Sequence, residues 1–347
     1  MTAPSSENQS AASQARGWAQ LLARYKRPDN VRGWFEMAVT ILPFLALWFL
    51  AWEAIAWGYW PLSFIPSLIA ATFLVRMFMI QHDCGHGSFF SNKNVNDWVG
   101  RVIGVLTLTP YDAWRRNHAI HHATTGNLEK RGIGDIATLT IAEYNALPFW
   151  KRVGYRLYRN PLVLFVFGSA YLFILRHRLP LGMSLKDKME WASPMATNLA
   201  ITAVVTFMMW LVGIGPFLMV QIPITLLAAS IGVWLFYVQH QFDGTFWAPA
   251  TEWNPHEAAV QGSSHYDLPT VLRWMTGNIG IHHVHHLSSR IPFYRLRQVL
   301  RDHPELNNVN RLTLWQSLRC IPLALWDENR QRLVSFSTAK RTSHVKN

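Results

Sequence analysis

The chain has 347 residues, half of them hydrophobic, with 17 Trp, 19 Phe and a formal net charge of +12. That length would hold two soluble domains, but the apolar residues are bunched into long charge-poor runs, which excludes an ordinary soluble protein. The surplus Lys and Arg are scattered around those runs and form no nucleic-acid motif, so anionic lipid headgroups are the expected partners and nucleic acid is set aside.

Residues 1–36 read as an N-terminal cytoplasmic tail. Its first fifteen or so, small and polar, are expected to be disordered and lack the apolar core of a signal peptide. A basic run, Arg24 to Arg32, would lie at a membrane surface. From Met37 to Gln81 the only charged residues are Glu53 and Arg76. A span takes about 20 residues, so this segment can cross twice, from about Val39 to Trp57 and about Leu62 to Ile80. The pair His82 and His86, at i and i+4, emerges directly afterwards, with Asp83 and Cys84 between them.

An interfacial helix is expected from Asp97 to Leu108, leading to Asp112, Arg115, Arg116 and the run Asn117-His118-Ala119-Ile120-His121-His122. Thr124 to Arg159 is polar and reads as a cytoplasmic lobe. Leu162 to Leu175 is apolar but only 14 residues long and bracketed by Arg159 and Arg176, so a re-entrant or in-plane helix fits better than a span. From Trp191 to Gln239 no Asp, Glu, Lys, Arg or His occurs. This second hairpin, about Met195 to Val238, returns at Gln239-His240-Gln241 and is followed by Gly280-Ile281-His282-His283-Val284-His285-His286.

The expected fold is therefore an all-α integral membrane protein: four transmembrane helices in two hairpins, with a cytoplasmic helical cap carrying three histidine boxes. Residues 37–300 form its main domain and 301–347 a basic C-terminal cytoplasmic tail. Every Lys and Arg except Arg76 lies outside the hairpins, which puts both termini and the boxes in the cytoplasm. The two cysteines, Cys84 and Cys320, imply no disulfide framework, and Cys84 reads as a small buried residue.

With 15 His in the chain, one His-x-x-His-His is expected about 0.03 times by chance, so two copies are a specific signal. On a helix, positions i, i+3 and i+4 share a face, and neutral imidazole suits iron, zinc or copper. His82, His86, His118, His121, His122, His282, His285 and His286 are the candidate ligands, with His240 a ninth at the inner end of the last span. Nine nitrogens exceed one metal and suit two irons. Soluble di-iron proteins use mainly Glu, whereas imidazole here stands almost alone. Asp83 and Asp112 are read as partners that orient imidazole N–H groups. His283, about 100° around the helix from its neighbours, takes a hydrogen-bonding role. His256 and His265 are weaker ligand candidates, and His177, His303 and His344 are read as surface residues.

The three boxes, with Gln239-His240-Gln241-Phe242 and Leu287-Ser288-Ser289-Arg290-Ile291-Pro292, resemble the membrane-bound fatty acid desaturase family over about residues 38 to 300, most closely its acyl-lipid Δ12-type branch. The resemblance implies a mushroom-shaped, four-span protein, here of a bacterial inner membrane, with a non-haem di-iron centre. It also implies molecular oxygen and two electrons used to install a cis double bond in a long acyl chain. By that likeness His240 is a ligand outside the boxes. No His-Pro-Gly-Gly haem motif is present, so the electrons would come from a separate carrier such as a ferredoxin. The chemistry agrees, because an unactivated methylene offers side chains no acid, base or leaving group, and an oxidant generated from oxygen at a metal must take its hydrogens. An apolar tunnel beneath the metals would select the carbon, and Arg115, Arg116 and Arg290 are candidates for headgroup or donor contacts.

Three other readings compete. A hydroxylase or ketolase would share the architecture and differ in leaving an oxygen atom in the product. A non-enzymatic b-type cytochrome would need paired His within different spans, and a zinc transporter would need ligands within them. The boxes sit at span ends, and the second hairpin carries no charge.

Overall fold

The structure, a computed structural model, describes residues 17–18, 20–132, 134–180 and 188–344. The expected disorder at residues 1–15 lies outside the described residues. Asp29 starts the first long helix, α1 (Asn30–Ala56), by accepting the Arg32 N–H. A 3-10 turn at Trp60–Ser63 then leads into α2 (Phe64–Gly85), which packs against α1 and ends at the first histidine pair.

Asn92 caps α3 (Lys93–Leu106) by accepting the N–H groups of Asn94 and Val95, so this helix begins four residues before the expected Asp97. It exposes Trp98 and Val102 while burying Asn96, Gly100 and Ile103, the two-faced pattern of an interfacial helix. At Gly100 the Tyr111 ring lies where a side chain would be, 2.2 Å from an ideal Cβ. Tyr111 opens α4 (Tyr111–Thr124), and its hydroxyl donates to the Cys84 carbonyl at 2.9 Å. The second histidine box is thereby pinned to the end of α2.

The expected polar lobe contains α5 (Ile141–Ala146) and α6 (Phe149–Tyr158). Helical structure resumes as α7 (Val163–Arg178), bent 69° from α6, the shape of a broken span or a re-entrant loop. Next come α8 (Lys188–Val212) and α9 (Ile214–His240), joined at Gly213. Among the described residues, four helices are long and apolar enough to cross a membrane: α1, α2 with its preceding turn, α8 and α9. Of these α2 is the most enclosed, packed between α1 and α9.

Beyond α9 lie α10 (Pro255–Gln261), α11 (Thr270–Met275), α12 (His282–Leu287) and α13 (Phe293–Asp302). The fold is mostly helical, but the all-α expectation needs a correction, because among the described residues five short strands stitch this region together. Leu139–Thr140 (β1) pairs in parallel with Leu323–Asp327 (β4), which pairs antiparallel with Arg332–Ser335 (β5). His265–Asp267 (β2) pairs in parallel with Arg311–Thr313 (β3). Central β4 buries Ala324, Leu325 and Trp326 in succession, as a strand covered on both faces does. Residues 311–335, read from sequence as part of a basic tail, are thus packed structure. His303, expected at the surface, is buried with its ring 6.1 Å from those of Trp18 and Tyr25, which pack over it. His177 is half-buried beside Phe173, and the side chain of His344 lies outside the described residues.

Gly100→Val would force the Tyr111 ring off the α3 surface. Such overpacking costs about 1–3 kcal/mol, so the variant should show a lowered thermal midpoint in detergent; an unchanged midpoint would contradict the packing described.

Candidate metal centre

Helix spacing decides how the boxes divide. Residues at i and i+4 lie close on one face and i+3 is offset to its side, so a single His-x-x-His-His helix can serve two centres. His118 and His122 of α4 join His82, His86 and His285, and these five ligand nitrogens lie within 4.8 Å of one another. His121, between them on the same helix, joins His240, His282 and His286 in a second set of four, equally close. The third box divides in the opposite sense: His282 and His286 go to the second set and His285 to the first.

The contacts inside each set exclude an ordinary hydrogen-bond network. His118 Nε2 lies 2.9 Å from His82 Nε2, 3.1 Å from His86 Nε2 and 3.1 Å from His122 Nε2. A ring nitrogen has one proton or one lone pair, and it cannot satisfy three such neighbours. Likewise His240 Nε2 faces His121 Nε2 at 3.1 Å and His282 Nε2 at 3.0 Å, while His286 Nε2 is 3.1 Å from His282 Nε2. With a metal–nitrogen distance near 2.1 Å, ligands at right angles stand about 3.0 Å apart and tetrahedral ligands about 3.4 Å apart. The observed edges match the right-angled case. Both sets can therefore hold a metal ion, and the five imidazoles of the first exceed the four of tetrahedral zinc.

Partners on the far side of three rings keep their inward nitrogens bare. His82 Nδ1 is 3.0 Å from Asp83 Oδ1, His121 Nδ1 is 2.6 Å from Asp135 Oδ1 and His240 Nδ1 is 3.0 Å from the Gly262 carbonyl. An acceptor there holds the proton on Nδ1 and leaves the Nε2 lone pair for a metal. Burial first, then neighbouring imidazoles, holds His86, His118, His122, His282, His285 and His286 well below the usual imidazole range, so they are neutral and able to ligate.

The third box is set by main-chain contacts. His282 N–H donates to the Ser264 carbonyl at 3.2 Å, Ser264 N–H to the Gln239 carbonyl at 3.0 Å, and Tyr266 N–H to the Gly280 carbonyl at 2.7 Å. A chain segment beside β2 thus ties α12 to the end of α9. Aromatic rings close the α2 and α9 side: Trp114 stacks on His118 at 4.6 Å, Phe78 packs on Trp114, and Phe236 lies 5.1 Å from His121. On another side a cleft of ≈ 260 Å³, lined by His122, Thr125, Pro255, His256, Ala258 and His286 among others, gives small molecules access to one imidazole of each set.

Several expected residues lie elsewhere. Asp112 orients no imidazole. It accepts from Arg101 Nε at 2.9 Å and lies 3.6 Å from Arg115, because six residues place it about 240° around the helix from His118. Arg115 itself is paired with Asp97 at 2.6 Å. His283 Nε2 bonds the Leu306 carbonyl at 2.9 Å, and burial beside His265 pushes its imidazole down to about 3. His265 is bonded through Nδ1 to the Asn307 carbonyl, and His256 lines the cleft; neither joins a set. Asp135 was missed from sequence. It is a lone carboxylate in a polar loop with no spacing relation to a box, and it reaches His121 because Gly134, at φ +71, brings the loop against that helix.

Residues 59–317, which include all nine histidines, match the family model described as Fatty acid desaturase. The chain is 44% identical over 319 residues to a fatty acid desaturase of Bacillus subtilis, covering 92% of this chain and 90% of that protein. More distant is the sn-1 oleoyl-lipid 12-desaturase of Synechocystis, 28% identical over 285 residues, covering 77% of this chain and 74% of that one. The sn-1 acyl-lipid omega-3 desaturase (ferredoxin) of the same organism is 27% identical over 263 residues, with 70% and 67% covered.

Asp135→Asn should weaken metal retention about 10–100-fold, measured as iron lost to a chelator; retention equal to the parent would contradict the orienting role. The depressed imidazoles also fix a sign. As pH falls through about 6.5 the unfolded chain takes up protons that the folded, metal-free site refuses, so stability is lost on the acid side. The thermal midpoint of metal-free protein should drop between about pH 7.5 and 5.5, and a flat profile would contradict the buried neutral cluster.

Proposed function

The chain belongs to the fatty acid desaturase family, and from that premise we propose that it inserts a cis double bond into long acyl chains carried on membrane lipids, at two non-haem irons held by nine imidazoles. His82, His86, His118, His122 and His285 would hold one ion, and His121, His240, His282 and His286 the other. The observation that carries this reading is the pair of converging Nε2 sets, whose spacing no proton arrangement can satisfy. Bound iron supplies the one-electron chemistry with molecular oxygen that an unactivated methylene requires.

The chain's own residues provide position and dryness. Trp114, Phe78 and Phe236 form an apolar floor against the imidazoles, on the side from which α2 and α9 arrive. An acyl chain lying on that floor presents a methylene to the centre and excludes water from it. Asp83 and Asp135 hold His82 and His121 with their lone pairs turned inward.

Topology follows from the same geometry. His82 and His240 close α2 and α9 at their C-terminal ends and meet in one layer. This supports two hairpins that each cross and return, with α7 re-entrant and not crossing. The Lys and Arg around the helix ends favour a cytoplasmic cap and cytoplasmic termini, in a bacterial inner membrane. Taking two hydrogens from the acyl chain while reducing O₂ to two waters consumes two further electrons and two protons. An electron-carrier protein must therefore dock on the cap, and the ferredoxin named for the Synechocystis omega-3 enzyme is the model for it. Arg116 and Arg290, both exposed, are candidates for contacts with that carrier or with headgroups.

Expression in a host lacking polyunsaturated lipids, under ¹⁸O₂, tests the reaction. The expected result is a new double bond in the lipid acyl chains with label only in water. Label retained in the lipid would replace desaturation with hydroxylation.

A further inference from the structure

Among the buried charges that the chemistry above does not use, one lies close to the first histidine pair. Arg76 lies within α2, six residues before His82, and is 1% exposed. A guanidinium inside an apolar helix is costly unless its donors are met, and here three groups meet them. One arm pairs with the carboxylate of Glu36 on α1, also 1% exposed and itself bonded by Arg32 Nε at 2.8 Å. Nε donates to Thr40 Oγ1 at 3.1 Å. The other arm donates to the main-chain carbonyl of Trp274 in α11. The guanidinium also lies 4.0 Å from the centre of the Trp274 ring and 5.2 Å from that of Phe293.

Trp274 begins the lead-in to the third histidine box. Along the same lead-in, Thr72 Oγ1 on α2 donates to Met275 Sδ at 3.4 Å, Asn278 donates to the Phe293 carbonyl at 3.1 Å and Gln239 donates to the Ile279 carbonyl at 3.2 Å. Phe293 N–H in turn donates to Asp83 Oδ2 at 2.6 Å. One helix, α2, therefore carries His82, runs directly into His86, and also carries the side chain that grips the approach to His282, His285 and His286.

We propose that Arg76 is a positioning residue for the metal centre: locked by Glu36, its guanidinium holds the Trp274 carbonyl and so sets the third histidine box against the first. The inference rests on the two-iron reading. The third box provides two of the four imidazoles in one set and one of the five in the other, so loosening it empties the four-imidazole set first.

A buried ion pair replaced by uncharged groups of similar volume often leaves stability unchanged, which separates positioning from fold maintenance. Iron per chain, turnover and thermal midpoint are measured in lipid nanodiscs for the parent, Glu36→Gln/Arg76→Met and Arg76→Lys. The double variant should keep a midpoint close to the parent's while iron falls from two toward one and turnover drops at least ten-fold. Arg76→Lys keeps a charge opposite Glu36 but cannot reach both Glu36 and the Trp274 carbonyl, and should lose iron in the same way. Two irons per chain in either folded variant overturns the proposal, and if the double variant does not fold, Arg76→Lys decides alone. A parent with fewer than two irons overturns the reading of the centre instead.

Discussion

Nine imidazole nitrogens packed into one buried layer cannot satisfy each other. Each neutral ring turns one nitrogen outward, and the inward nitrogens face one another near 3 Å with lone pairs that only cations can share. This constraint governs the rest of the structure. It requires four segments distant in sequence, the ends of α2 and α9 and the helices α4 and α12, to meet with their imidazoles at fixed separations.

Each segment is held to that meeting by a bond that is not to a metal. Tyr111 ties α4 to the end of α2, the Ser264 main chain ties α12 to the end of α9, and Arg76 ties the approach to α12 back to α2. Placing the ligands on helix ends braced in this way limits how far an imidazole can drift. The division of each His-x-x-His-His box between the two sets adds a further restraint, since moving α4 or α12 disturbs both sets at once.

Much of this was legible in the sequence because it rests on periodicity. Charge-poor runs mark helices able to cross a membrane, and His spacing marks shared helix faces, so all nine clustered histidines are legible in the sequence, His240 from the position where its span ends. What stayed hidden depends on contacts between residues with no periodic relation. Asp135 reaches His121 through a loop, whereas Asp112, placed closer to a box along the chain, is claimed by Arg101 and Arg115 on another face. The strands β1 and β4 are short and join segments far apart in the chain, and such pairings leave little local signal. His303 is solitary in sequence and is buried because Trp18 and Tyr25, far from it along the chain, pack over it.

Iron-edge X-ray absorption on protein of known metal content reads whether two iron ions occupy these imidazole sets. The expected result is two irons per chain, with a first shell dominated by nitrogen at about 2.1 Å and imidazole back-scattering beyond it. Fully active protein that holds no iron, or one ion per chain, or a shell dominated by oxygen or sulfur, would contradict it.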